Sequence, residues 1–175
     1  ESVKIYVGGL PQIPEPPLNY QLLYSLEGVL DYYTTPVLVL EDGEVIDKEP
    51  LTGRETVTFE ALGELEAFLT AGGISRMPYR YRGLISSMSY KTVRYPGHCV
   101  LMKAMRDLGL MDLKPVEIGG VSVVPRDVLI KILDAKLRKP SSKDLVVMRV
   151  ITEGFVEGVS RTVTYEMVDY YDQDQ

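Results

Sequence analysis

The sequence is short of the side chains that build metal centres and covalent cross-links. Among 175 residues it has one cysteine, Cys99, one histidine, His98, and no tryptophan. A lone cysteine excludes an internal disulfide, and a lone histidine without a cysteine or carboxylate cluster cannot assemble a zinc site. No apolar run reaches the roughly 18 residues that a membrane helix needs, and the opening "ESVKIYVGG" has neither the basic start nor the cleavage site of a signal peptide. These absences lead to the expectation of a cytoplasmic protein with no membrane partner. Positive charge is scarce overall: the formal net charge is −6, a poor basis for nucleic-acid binding driven by phosphate neutralisation. The glycine pair that follows the first strand pattern, Gly8-Gly9, lacks G-x-G-x-x-G spacing and opens no helix, so it is not a dinucleotide fingerprint.

What is present suits one globular domain over residues 1–175, with 45% apolar content available for a core. The chain begins at Glu1 and runs at once into a strand pattern at Val3, Ile5 and Val7, as a piece of a longer protein would. "KIYVGG" reads as a strand and "LPQIPEPP" as an extended loop, since proline supplies no backbone donor. Asn19 caps a helix through "YQLLYSLEGVLDYY", with Leu22, Leu26, Val29 and Leu30 at helical spacing. Asp42-Gly43 joins two short strands in a tight hairpin. "FEALGELEAFLTAGG" predicts a second helix ending at Gly72-Gly73, and "ISRMPYRYRG" a loop. "LISSMSYKTVRY" is a strand feeding a helix that starts at Pro96-Gly97 and stops at Gly109. A strand pair around Gly119-Gly120 precedes an amphipathic helix, "RDVLIKILDAKLRK", then a linker at Pro140. The chain closes on a long hairpin in which Val163, Tyr165 and Met167 alternate with Thr162, Thr164 and Glu166. Without a regular βαβ repeat, this mixture predicts an α+β fold: a mixed, mostly antiparallel sheet with helices packed on one face.

Charge is uneven along the chain. Between Ala71 and Arg106 lie Arg76, Arg80, Arg82, Lys91, Arg94, Lys103 and Arg106 and no acid, which points to an anionic partner at this segment. A small carboxylate fits best, because guanidinium offers paired donors. Arg94, next to Tyr95 and just before the strand-to-helix turn, is the best placed, with the free amides of the next helix beside it. His98 lies in the first turn of that helix, where the dipole favours a neutral imidazole that could serve as a general base. Cys99 reads as a small core residue.

"YKTVRYPGHCVLMKAMRDLGLMD" resembles the strand-to-helix signature of the saccharopine dehydrogenase family. "VGGLP", "LLYSLEGVLDYY", "EDGEV", "LEAFLTAGGIS" and "VTYEMVDYYD" agree in order, and the set is most similar to the lysine 6-dehydrogenase branch. The resemblance implies a substrate-binding and dimerisation domain whose nucleotide-binding partner domain lies outside this chain. NAD or NADP would serve the parent enzyme and bind this domain alone not at all. The substrate would be a small, lysine-like amino acid oxidised at its ε-carbon, and the assembly a homodimer. In the family pattern Arg94 grips the substrate carboxylate, Gly73 and Ser75 belong to a substrate-contacting loop, and Tyr24 forms an aromatic wall. Tyr95 adjoins them, and His98 is the candidate base. "TAGGISRMP" departs from the saccharopine-binding pattern. A saccharopine or carboxynorspermidine dehydrogenase fragment, or a non-catalytic dimerisation domain, remains the alternative.

Overall fold

The computed structural model describes residues 1–22, 25–139 and 143–171. In chain order the elements are β1 (Ser2–Pro11), α1 (Leu26–Thr34), β2 (Val37–Glu41), β3 (Glu44–Lys48), β4 (Glu55–Phe59), β5 (Gly63–Leu69), α2 (Met77–Tyr81) and β6 (Ser87–Arg94). They continue with α3 (His98–Asp107), β7 (Val116–Ile118), β8 (Val121–Val123), α4 (Pro125–Leu137), β9 (Asp144–Val156) and β10 (Val159–Tyr170). The main sheet runs β10-β9-β1-β6-β2-β3. Among the described residues only β1 and β6 are parallel; the other pairings are antiparallel, as expected of an α+β fold with a mixed sheet. β6 has β1 on one side and two strands on the other. β2 meets it at Met88, and β5 takes over from Lys91 to Arg94.

Strand parity sorts the core into two layers. On one face, Tyr6, Leu10, Val93, Leu145 and Val147 pack against Val57, Phe59 and Leu65 of a β4–β5 hairpin that folds over them. The Arg149 guanidinium, 4.4 Å above the Phe59 ring, and its bond to the Thr58 carbonyl tie this flap to β9. On the other face, α1, α3 and α4 enclose Leu30, Tyr33, Cys99, Met102 and Leu129 around Phe68. Helices thus cover one face, as expected. They cover only its β5 end, however, and leave Val163 and Tyr165 of β10 exposed and Val7, Met148 and Val150 half-buried.

Three local expectations need correction. The first helix begins at Leu26, not after Asn19, and its cap is Ser25, whose Oγ accepts from the Gly28 amide. Asn19 has φ 48°, whereas a capping residue takes an extended backbone, so Leu18 and Tyr20 enter the core from a loop. The segment expected as a second helix is the β4–β5 hairpin. Every residue from Leu65 to Leu69 is buried, and a strand enclosed on both faces shows no alternation. Gly72-Gly73 therefore follows a strand. Finally, the loop after it contains the single turn of α2. Among the described residues no helix is long and apolar enough to cross a membrane.

Candidate functional site

Arg94 ends β6 on the helix-covered face and is only 4% exposed. Its Nη1 donates to the carbonyls of Gly9 (3.2 Å) and Val93 (3.0 Å), and its Cζ lies 4.9 Å from the centroid of Tyr20. Neighbouring positions on this face include Gly9, which adds no side chain, and half-buried Val7. Across the strand pair, Arg94 faces Glu66. The Glu66 Oε1 accepts from the Cys99 amide at 2.6 Å, and its Oε2 is 3.5 Å from Arg54. The His98 amide meanwhile donates to the Tyr95 carbonyl. The first amides of α3 thus already have acceptors from this chain, which corrects the expectation that they lie open to a ligand carboxylate. Gly97, the residue before α3, supplies no cap and has φ 95°; Glu66, arriving from another strand, does so instead.

His98 is 2% exposed. Its Nδ1 lies 3.1 Å from the Leu18 carbonyl and its Nε2 3.0 Å from the Tyr33 hydroxyl. A carbonyl can only accept, so Nδ1 carries the proton and Nε2 accepts from Tyr33. The ring stacks on Phe68 and meets Tyr20 edge-on. Burial, followed by the nearby charge of Arg94, pushes its pKa down to about 3. A ring with both nitrogens engaged and so little basicity is a poor proton acceptor at neutral pH. Its geometry is that of a link between α1, α3 and the loop before α1. Burial and the Glu66 charge push the Cys99 thiol up to about 11, and its Sγ points at the Leu51 carbonyl, so it stays a protonated core residue as the sequence suggested.

The other candidates are dispersed. Gly73 lies flat against Tyr90: a Cβ there would come within 2.3 Å of the ring. Ser75, at φ 45°, donates to the Gly72 carbonyl. Both line a recess of about 260 Å³ between Thr35-Pro36 and Thr70-Ala71. Tyr90 shares a face of β6 with Arg94, which sets this loop and the guanidinium on one side of the sheet. Tyr95 points to the opposite side. Its ring packs with the Tyr6–Leu10 cluster, its hydroxyl donates to the Pro11 carbonyl, and burial raises its pKa. The expectation that Tyr95 joins Arg94 in one pocket is thereby corrected; Tyr95 follows the last residue of β6 and turns its ring to the other layer. Tyr24 lies outside the described residues. Sequence reasoning passed over Tyr20, Tyr33 and Glu66. Glu66 had a visible signal, a single acid inside the apolar run "LEAFL".

The glycine pair does not form a dinucleotide-binding turn. Gly8 and Gly9 lie within β1, paired with Val147 and Val146, and a Cβ on Gly8 would sit 2.5 Å from the Val93 carbonyl oxygen. They allow strands to approach, and no helix follows to receive phosphate. Among the described residues no group of three His, Cys, Asp or Glu side chains is placed to hold a metal ion.

The fold is similar to that of apo saccharopine dehydrogenase (L-Glu forming) from Saccharomyces cerevisiae, with a TM-score of 0.76 and 17% identity. The match covers 98% of this chain and 53% of the yeast chain, so it corresponds to about half of that protein's length. The family model described as the saccharopine dehydrogenase C-terminal domain matches residues 1–175. Together with the ordered motifs, that match establishes that this chain belongs to the family of saccharopine dehydrogenase C-terminal domains.

Proposed function

We propose that residues 1–175 form the substrate-binding and dimerisation domain of a cytoplasmic, two-domain NAD(P)-dependent amino-acid dehydrogenase acting on lysine or a lysine-like substrate. The observation that carries this reading is the placement of Arg94. Its guanidinium is held against the Tyr20 ring, beside Gly9, where the helix-covered end of the sheet gives way to an open apolar face. A buried cation so oriented suits a carboxylate, because the low dielectric strengthens the attraction and the fixed fork sets its direction. Val7, Met148 and Val150 offer an apolar floor for an aliphatic chain. Gly73 and Ser75 border the same side of the sheet. His98 does not take the substrate's proton in this reading; it fixes Tyr20 and hence Arg94, and the acceptor belongs to the nucleotide-binding domain. That domain also supplies the nicotinamide.

The test mixes this chain with a separately produced nucleotide-binding domain of the same enzyme and follows lysine-dependent reduction of NAD and of NADP, with saccharopine and carboxynorspermidine as competing substrates. Arg94→Gln should abolish turnover while Lys103→Ala, at a half-buried position ion-paired to Asp107 on α3, leaves it unchanged, with circular dichroism confirming that both variants fold. Equal activity in both variants, or none with any substrate, favours the second reading: a non-catalytic dimerisation domain. That reading has its own support in the long exposed β9–β10 hairpin.

A further inference from the structure

The last strand of the sheet, β10, has β9 on one side and nothing on the other among the described residues. It is 12 residues long, contains no proline and stands clear of the core, with Val163 63% and Tyr165 56% exposed. An edge of this length presents a row of unpaired amides and carbonyls and invites another strand. Its two unmatched charges show which strand fits. Arg149 of β9 takes Glu166. Arg161 and Asp169 face Gly154 and Val146 across β9, so neither has a charged partner on that strand; the Glu1 side chain lies over Gly154 in the recess that Arg161 also lines, without an ion pair to it among the described residues.

We infer that β10 pairs antiparallel with β10 of a second copy about a two-fold axis through Tyr165, an inference that rests on the dimerisation part of the function proposed above. Two edge strands related by a two-fold axis perpendicular to their sheet keep the same face upward. Facing residues must then have the same parity, and the axis must pass through a residue rather than between two. Few registers remain. With the axis at Tyr165, Arg161 of each copy faces Asp169 of the other, Val163 faces Met167, and the two Tyr165 rings meet. With the axis at Glu166, two carboxylates oppose each other. With it at Thr164, Arg161 faces Met167 and Asp169 faces Val159. Only the Tyr165 axis matches both orphan charges and joins the apolar faces of both sheets into one surface.

Light scattering on the chain across a concentration series tests the pairing. Arg161→Asp and Asp169→Arg should each raise the dimer dissociation constant about tenfold, because two attractive cross-strand pairs per dimer become repulsive. The double variant R161D/D169R should restore it to within about threefold. Tyr165→Cys should cross-link on mild oxidation, since facing Cα atoms of antiparallel strands stand about 4.5–5.5 Å apart, whereas Val163→Cys, facing Met167, should not. Circular dichroism verifies the fold of each variant. A dimer indifferent to the single reversals, or not restored by the double one, overturns the β10 seam. A chain that stays monomeric overturns both seam and dimerisation, while lysine-dependent turnover in the complementation assay reports on the substrate reading separately.

Discussion

His98 and Tyr33 share a 3.0 Å hydrogen bond whose direction is fixed by a third residue, Leu18. The Leu18 carbonyl requires a proton on Nδ1, so the Tyr33 hydroxyl must donate to Nε2. The ring can be protonated only if that bond reverses, with the Tyr33 hydroxyl turning to accept, inside a site crowded by Tyr20, Phe68 and the Arg94 charge.

Because His98 is the only histidine, its ring protons give an unambiguous titration by NMR. Their shifts should stay flat from pH 8 to pH 5, consistent with a pKa lowered from 6.5 to about 3. The unfolded chain keeps an ordinary imidazole and binds the proton first, so stability is full above neutrality and is lost as pH falls from 6.5 toward 3. Between pH 7 and pH 5 this one group should remove about 2 kcal/mol. Urea titrations of the wild type and His98→Gln should show that the variant lacks this part of the pH dependence. A ring titrating near 6.5 in the folded protein would overturn the assignment.

Glu66 should matter to stability without touching a substrate. Glu66→Ala removes the acceptor of the Cys99 amide and the anion at the start of α3, and should cost about 1–3 kcal/mol in chemical denaturation. Glu66→Gln keeps an acceptor and should cost less. Equal losses in both variants would mean that the charge, not the hydrogen bond, is what α3 requires.

Two glycines should both reject an added methyl but differ in whether the loss can be rescued. Gly73→Ala drives Cβ into the Tyr90 ring and Gly8→Ala into the Val93 backbone. Each should lower stability by about 1–3 kcal/mol. Trimming the obstacle with Tyr90→Ser should recover part of the loss at Gly73, seen as non-additivity in a double-mutant cycle. No side-chain deletion should rescue Gly8→Ala, because the atom it strikes is a carbonyl oxygen.

Gly28→Ala should do the opposite. The site lies in the first turn of α1, has an ordinary φ, and has nothing within 4 Å of a built Cβ. A gain of about 0.5–1 kcal/mol is expected from thermal unfolding, since alanine restricts the unfolded chain and suits the helix.

Where the sequence was legible, local chemistry and tertiary environment agreed. Asp42-Gly43 makes the expected turn with both residues at positive φ, and Pro96-Gly97 marks the junction of β6 and α3. Illegible places were those where burial overrode local pattern. Leu62, Leu65, Phe68 and Leu69 have helical spacing, yet they fill a hairpin and its strand because β4 and β6 offer β5 backbone partners on both edges. Arg94 was found from its charge and its place before a strand-to-helix turn. Its setting depends on Tyr20, Gly9 and Glu66, which come from three distant stretches, and no local spacing encodes that convergence.

β1 spans the whole history of the chain. It borders β6, more than eighty residues downstream, and β9, some 140 residues downstream. During synthesis β1 therefore emerges long before either neighbour exists, and the sheet closes only after β9 has left the ribosome. Such distant pairings slow assembly. They also leave an apolar strand without its partners while translation proceeds, so the order in which the strands appear opposes the order in which they must pair.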